Sequence, residues 1–299
     1  MDALESIQKA LDLIEKGLTE PLTLTALSRR VGMSPWHFQR TFSAMVGAPV
    51  GSYLRRRRLT EAARRLQQTR ATILDVALDF QFDSHEAFTR AFKAEMNLTP
   101  NAWRRGESAF ITCQHRLYVT AQLLQKRYGK MKLIPEIVTL PARTFVGLQC
   151  RFISVMSPDA NNLIEIPKLW DKFNQRIQEV ETNEPKASYG LCGLPERHGE
   201  KGLRPDELLY LAAVQVDLDS AVPSGMKRWV VPAGMFAKFT HRGIITRIGE
   251  TMGFIYGKWF PASDYERGRG PEFERYDHRF NSHSETSEMD VYIPLRAKT

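Results

Sequence analysis

Ser34-x-x-x-Phe38-x-Arg40-x-Phe42 returns fifty residues later as Ser84-x-x-x-Phe88-x-Arg90-x-Phe92. Each serine stands where a helix begins, because its hydroxyl accepts from an orphan backbone N–H of the first turn. Two phenylalanines four apart share one helix face, and the arginine between them lies on another. Each copy therefore predicts a short helix with a buried aromatic stripe and an exposed basic side chain. Gly32-Met33 ahead of the first copy suits a tight turn, since glycine takes positive φ cheaply, and Pro35 suits the first helical position. The helix from Pro35 to about Val46 is expected to expose Trp36, His37, Gln39 and Arg40. The helix from Ser84 to about Met96 is expected to present His85, Glu86, Thr89 and Arg90 on the corresponding face.

The surrounding sequence completes two helix-turn-helix pairs. Leu4, Ile7, Leu11, Ile14 and Leu18 follow a +3/+4 rhythm, which predicts an amphipathic first helix ended by Gly17 and Pro21. A helix around Thr25–Val31 precedes the first copy, and one over Ile73–Phe80 precedes the second. Tyr53–Thr69 lacks Gly and Pro and predicts a long spacer helix, about 25 Å at 1.5 Å per residue. Leu98-Thr99-Pro100 closes the second pair, and Trp103 begins a last short helix.

Charge follows the same map. The chain has 42 Lys and Arg against 34 Asp and Glu, a net +8. Ten arginines and one acid, Glu61, lie between Arg29 and Arg70, a local +9 that leaves the remainder about neutral. Such a confined field is the footprint of a phosphate-binding surface. Cys113, Cys150 and Cys192 are odd in number and widely spaced, so neither a disulfide framework nor structural zinc is expected. No apolar leader or ~18-residue apolar run is present, which predicts no membrane span and a cytoplasmic protein. HExxH, GxSxG and Walker-type loops are also absent, so no catalytic residue, metal or cofactor is expected.

A major groove admits one α-helix, whose N-terminal residues reach base edges, and successive grooves recur every ~34–36 Å. Arg pairs with guanine and Gln with adenine, and apolar faces meet the thymine methyl. Two such helices around a ~25 Å spacer suit two adjacent major grooves of double-stranded DNA.

Residues 107–133 are expected to form a connector, with Leu117–Tyr128 helical. Beyond Ile134 the sequence is richer in Pro and β-formers, and it also repeats. Pro141-Ala-x-x-Phe145 matches Pro232-Ala-x-x-Phe236, each followed by a tryptophan in helical surroundings (Trp170, Trp259) and an apolar strand with a tyrosine (Tyr210, Tyr292). This predicts two pseudo-symmetric βαββ units with helices on one side of a sheet. An acid among Trp170, Tyr189, Tyr210, Trp259, Tyr276 and Tyr292 makes an aromatic, anionic site suited to a lipophilic cation.

The stretch Ile73-x-x-Val76-Ala77…Phe82-x-Ser84-x-x-x-Phe88-x-Arg90-x-Phe92-Lys93…Thr99-Pro100-x-x-Trp103-Arg104 resembles the signature of AraC/XylS-type transcriptional regulators. Trp36-His37-Phe38-Gln39-Arg40 with Tyr53-Leu54-Arg55-x-Arg57-Arg58-Leu59 resembles their Rob/MarA/SoxS branch. The resemblance implies base reading by Trp36, Gln39 and Arg40 and by His85, Glu86, Thr89 and Arg90, with Lys93 nearer phosphate. Gln81 and Asn97 stand where the wider family usually has glycine. Pro232-x-x-x-Phe236, Thr240-His241-x-Gly243, Glu272-Phe273-Glu274-Arg275-Tyr276 and Asp290-Val291-Tyr292-Ile293-Pro294 resemble a GyrI-like effector-binding domain. The resemblance implies a small amphipathic or cationic organic effector held by aromatics and an acid, with Asp290 standing where that acid is usually Glu. The expectation is a multidomain protein: an all-α double helix-turn-helix domain (1–106), a connector (107–133) and an α+β GyrI-like domain (134–299). The function implied is a sequence-specific transcription regulator, an activator contacting RNA polymerase, under small-molecule control. A sequestering protein and a detoxifying hydrolase on a DNA anchor, the latter using Asp290 with Tyr276, stay open as alternatives.

Overall fold

The computed structural model describes residues 3–107, 114–153, 161–193 and 207–298, and the chain divides into two compact units, 1–121 and 122–299. In the first, α1 (Ala3–Lys16), α2 (Leu24–Arg30), α3 (Pro35–Val46), α4 (Val50–Gln68), α5 (Ile73–Asp79), α6 (His85–Met96) and α7 (Pro100–Arg104) follow in order. Capping chemistry sets most starts. The hydroxyls of Thr23, Ser34, Thr72, Ser84 and Thr99 each accept the N–H three residues on. Thr72 and Asp75 close a reciprocal box, and the Thr72 hydroxyl, then its N–H, hold the Asp75 carboxyl below its usual range. Both α3 and α6 end on a left-handed residue, Gly47 (φ 82°) and Asn97 (φ 58°).

The repeated phenylalanines form the core as the spacing predicts. Phe38 and Phe42 pack edge to face at 5.6 Å and continue to Tyr53, while Phe82, Phe88, Phe92 and Trp103 form the matching row. The run Arg55–Arg58 splits in four directions, as 100° per residue requires. Arg56 pairs with Glu95 at 3.5 Å, and Arg58 donates to the Leu18 and Glu20 carbonyls at 2.9 and 2.6 Å. Arg57 is buried and donates to both oxygens of Glu15 (2.8 and 2.7 Å), to Glu61 (2.9 Å) and to the Gln114 carbonyl (2.7 Å). Part of the local positive charge is therefore structural.

Helix was expected over Leu117–Tyr128, but only α8 (Ala121–Tyr128) is helical. Residues 114–119 have no helix because their backbone donors bind elsewhere. The N–H groups of Gln114, Leu117 and Val119 donate to Thr60 Oγ1, Tyr53 OH and Gln8 Oε1 at 3.2, 3.1 and 3.0 Å. Cys113 lies outside the described residues.

The second unit is an antiparallel sheet with helices on one face. Its strands are β1 (Glu136–Leu140), β2 (Arg143–Ile153), β3 (Ser188–Gly193), β4 (Glu207–Val216), β5 (Lys227–Val231), β6 (Gly234–Arg242), β7 (Tyr265–Arg267), β8 (Glu272–Tyr276) and β9 (Glu288–Ala297). Helix α9 (Asn162–Asn174) lies between β2 and β3, and α10 (Ile248–Phe254) leads through a π-helical turn into α11 (Phe260–Ala262) between β6 and β7. Pro261 contributes to that turn, since it has no N–H to offer the carbonyl four residues back.

The repeat is real and swapped at its edges. β2 and β6 begin at Arg143 and Gly234, β1 and β5 at Glu136 and Lys227, so both pairs stand 91 residues apart. The sheet order β1-β6-β9-β8-β3-β4-β2-β5 is palindromic, each leading strand pairing with the other repeat's first strand. β3 and β8 therefore meet at the centre. The registers make Gly190 and Glu274 equivalent positions, and these two residues face each other across the β3–β8 pair.

Candidate nucleic-acid interface and effector site

On α6 the capped start, buried stripe and exposed face all come from one short sequence. Ser84 accepts the Ala87 N–H at 3.1 Å, and Phe88 and Phe92 are fully buried. This turns His85, Glu86, Arg90 and Lys93 to solvent, while Thr89 is half-buried with its hydroxyl covered. The backbone N–H of Glu86, then the Ser84 hydroxyl, hold the Glu86 carboxyl below its usual range. At neutral pH it is an acceptor only, matched to the cytosine amino group and repelled by phosphate.

The first helix departs from expectation. Ser34 caps it, accepting the His37 N–H at 3.3 Å, but Trp36, Gln39 and Arg40 are 4%, 5% and 8% exposed, and His37 is half-buried. Part of the reason is local. The Arg40 guanidinium lies over the Trp36 ring, 4.3 Å from its centroid, so each side chain covers the other. Helical periodicity alone takes the side opposite the phenylalanines to be solvent, and this helix is buried on all sides.

In the second unit, strand alternation sorts the expected effector residues. A residue and its antiparallel partner share a face, and neighbours along the strand do not. Glu274 and Tyr276 share the helix-covered face with Tyr210. Tyr189, Asp290 and Tyr292 lie on the opposite face.

The expected site is thus divided by the sheet. Tyr210 and Tyr276 donate to Glu274 Oε2 at 2.9 and 2.5 Å, and their hydroxyls lie 3.2 Å apart. Trp170 reaches down from α9 and donates to the Tyr210 hydroxyl at 3.3 Å, with its ring 5.4 Å from that of Tyr276. Phe152 and Phe280 meet the two tyrosines edge to face. Burial, then the Glu274 charge, push both phenols well above their ordinary range, so both stay neutral donors. Gly190 makes room: a Cβ there would run into the Tyr210 hydroxyl and come within 2.9 Å of Glu274 Oε2.

Four of the expected members belong elsewhere. Asp290 is buried and ion-paired, accepting from Arg279 at 2.7 Å and from Thr240 at 2.8 Å. Tyr189 sits in the core cluster with its hydroxyl on Glu184, and Tyr292 stacks on Phe273 at 4.4 Å. Trp259 packs on Phe239 and stacks with Tyr265. Pleat parity governs the first three, and the second repeat's own core governs Trp259.

The acid that stands among Trp170, Tyr210 and Tyr276 is Glu274, which the sequence reading did not single out. Its signal is the alternation in Glu272-Phe273-Glu274-Arg275-Tyr276, where a core phenylalanine forces both neighbours to the other face. The pseudo-symmetric counterparts of Glu274, Tyr276 and Tyr210 are Gly190, Cys192 and Met289. The fold repeats, but this chemistry occurs once. Cys150 and Cys192 lie beside Tyr210 on the flanking strands, and burial pushes the Cys150 thiol up to about 11. No helix among the described residues is long and apolar enough to cross a membrane.

Comparison with known proteins agrees with this architecture. Residues 134–296 match the GyrI-like small molecule binding domain, and residues 27–106 match a helix-turn-helix domain. The chain is 30% identical over 306 residues to the Right origin-binding protein of Escherichia coli strain K12, covering 99% of this chain and 100% of that protein. It is 29% identical over 281 residues to the Transcriptional regulator Rob of Salmonella typhimurium, covering 92% and 91%. Over 110 residues it is 38% identical to the Multiple antibiotic resistance protein MarA of E. coli, covering 36% of this chain and 87% of that protein. With AraC-type helices in its first unit and a GyrI-like small-molecule-binding fold in its second, the chain belongs to the Rob-like AraC/XylS family of transcription regulators.

Proposed function

We propose that the protein is a cytoplasmic transcription activator that reads two adjacent major grooves under control of a small amphipathic or cationic molecule bound at Glu274. Residues 1–106 bind DNA, 107–133 connect, and 134–299 sense the effector. The effector reading rests on one observation above all: a carboxylate set among Trp170, Tyr210 and Tyr276, held by two tyrosine donors. An anion set among aromatic side chains attracts an organic cation by charge, to which any exposed ring face adds its quadrupole.

For DNA, α6 presents His85, Glu86, Arg90 and Lys93 already exposed. Base reading from α3 requires Trp36, Gln39 and Arg40 to be uncovered when DNA binds. Helix α5 supports activation through a protein partner. Leu74 and Leu78 are 46% and 51% exposed beside Asp75, where the equivalent helix α2 has Thr25 and Arg29. The fold therefore does not require leucine at these positions, and an apolar, acidic patch in a basic domain suits a basic surface of RNA polymerase. The acid–tyrosine pair expected for a hydrolase, Asp290 with Tyr276, is split between the two faces of the sheet.

Selection of bound sites from random DNA, with and without the lipophilic cation tetraphenylphosphonium, tests the proposal. A two-part site favoured at least ~10³-fold over random DNA, with occupancy shifted by the cation, is expected. Binding without sequence preference points instead to a sequestering protein, and turnover of excess effector to a hydrolase.

A further inference from the structure

We infer that Gln81 is a positioning residue that fixes the phase between the two DNA-reading helices, an inference that rests on the two-helix reading above. The turn before α6 spans residues 80–84, one residue longer than the turn 31–34 before α3. Each turn contains a left-handed residue, Gly32 (φ 70°) in the first and Gln81 (φ 64°) in the second. Among the described residues, Gln81 and Asn97 are the only non-glycine residues with positive φ. Asn visits this region readily, because its short amide bonds locally; Gln gains no such relief. Glycine is the unstrained choice at position 81, so the side chain has to bring something of its own.

It brings a long-range tie. The Gln81 amide donates to the Thr19 carbonyl at 2.8 Å, across 62 residues of sequence. Thr19 lies in the loop between α1 and α2, which runs directly into Thr23, the cap of the first helix-turn-helix. Arg58 of α4 donates to the carbonyls on either side, Leu18 and Glu20. Three successive carbonyls are thus held from two directions, by the spacer helix and by the turn that leads into α6. The Gln81 bond links the second reading unit to the base of the first without passing through α4.

The consequence is selectivity for spacing. One base pair inserted between half-sites moves the second by about 3.4 Å and turns it by about 34° around the duplex. A rigidly phased pair of helices cannot follow that displacement, whereas a loosened pair can.

The test uses the full chain with Gln81→Gly and Gln81→Asn, on a selected two-part site and on versions with one base pair added or removed. Glycine suits the left-handed backbone, so the Gly variant should unfold at no lower temperature. Asparagine suits it too, but its amide is one methylene too short for Thr19. We expect the unaltered protein to lose about tenfold or more on the altered spacings. Both variants should lose less than about threefold, with binding to each isolated half-site unchanged. Retention of the full spacing penalty by the variants overturns the inference. So does loosening by glycine alone, which would assign the effect to backbone freedom rather than to the amide. If the unaltered protein selects no two-part site, the two-helix reading falls and takes this inference with it. A two-part site with unchanged spacing selectivity in the variants removes this inference only.

Discussion

Replacing Glu274 with Gln keeps the shape of the acid–aromatic cluster and removes its charge. A Gln carbonyl oxygen has two lone pairs, enough to accept both the Tyr210 and Tyr276 hydroxyls that now share Oε2. The phenyl groups of tetraphenylphosphonium would hold its phosphorus about 5 Å from the carboxylate. At an effective dielectric constant of about 20 the attraction is about 3 kcal/mol, or roughly 150-fold in affinity. The two tyrosine donors already draw on the carboxylate charge, which lowers the expected loss to about 30- to 150-fold. Contact with Trp170 and Tyr276, which are only half-buried, survives the substitution and leaves measurable binding. Calorimetric titration of both proteins with this cation, and with neutral triphenylphosphine oxide, isolates the charge. The neutral compound should bind both proteins within about twofold, because no term in the argument acts on it. Unchanged binding of the cation, or equal losses for cation and neutral compound, would refute the assignment of Glu274.

Other consequences can be measured separately. Arg40→Ala should cost about 1–3 kcal/mol on the preferred DNA site and relax specificity there, whereas an equal loss on random DNA would make Arg40 a phosphate contact. Glu86→Gln should change base preference in the second half-site, as seen by repeating the site selection; an unchanged profile removes Glu86 from base readout. Leu74→Ala with Leu78→Ala should leave DNA affinity within about twofold while transcription from a responsive promoter falls, because the leucines lie on an exposed face of α5. Bonds from Arg279 hold the Asp277 carboxyl well below its ordinary range. Its contribution to stability is therefore complete above about pH 4 and is lost as pH falls toward the folded-state value. Asp277→Asn should flatten the acid limb of the stability profile measured by thermal unfolding, and an unchanged limb would show that other carboxylates set it.

How far the sequence could be read follows from the range of the forces involved. Helix starts at Ser34 and Ser84 and the phenylalanine rows depend on residues within about one turn, and they stand where the spacing puts them. Solvent exposure is not local in this sense. The same period that buries Phe38 and Phe42 assigns Trp36, Gln39 and Arg40 to water, yet all three are buried. The strap at residues 114–119, expected to be helical from Leu117 onward, is not helical for a related reason, since its N–H groups bind side chains more than fifty residues away.

In the second unit the repeat was legible, and of the expected cluster only Trp170, Tyr210 and Tyr276 come together, because a period of two leaves no tolerance for error in where a strand begins. Tyr189 and Tyr276 are both tyrosines on the paired central strands, but one points into the core cluster and the other onto Glu274. Asp290 lies on the face away from Trp170, Tyr210 and Tyr276 by the same parity, standing opposite Arg275 rather than Glu274. The palindromic sheet gives Glu274 a symmetry-related position, and glycine occupies it. Glutamate at both positions would set two carboxylates against each other at the centre of the sheet, where like charges raise each other's cost of ionisation. A Cβ at position 190 would also displace the Tyr210 hydroxyl that steadies the single acid. The chain therefore keeps one anion by emptying its partner position, and asymmetry at the pseudo-twofold axis is a condition for the single acid–tyrosine cluster.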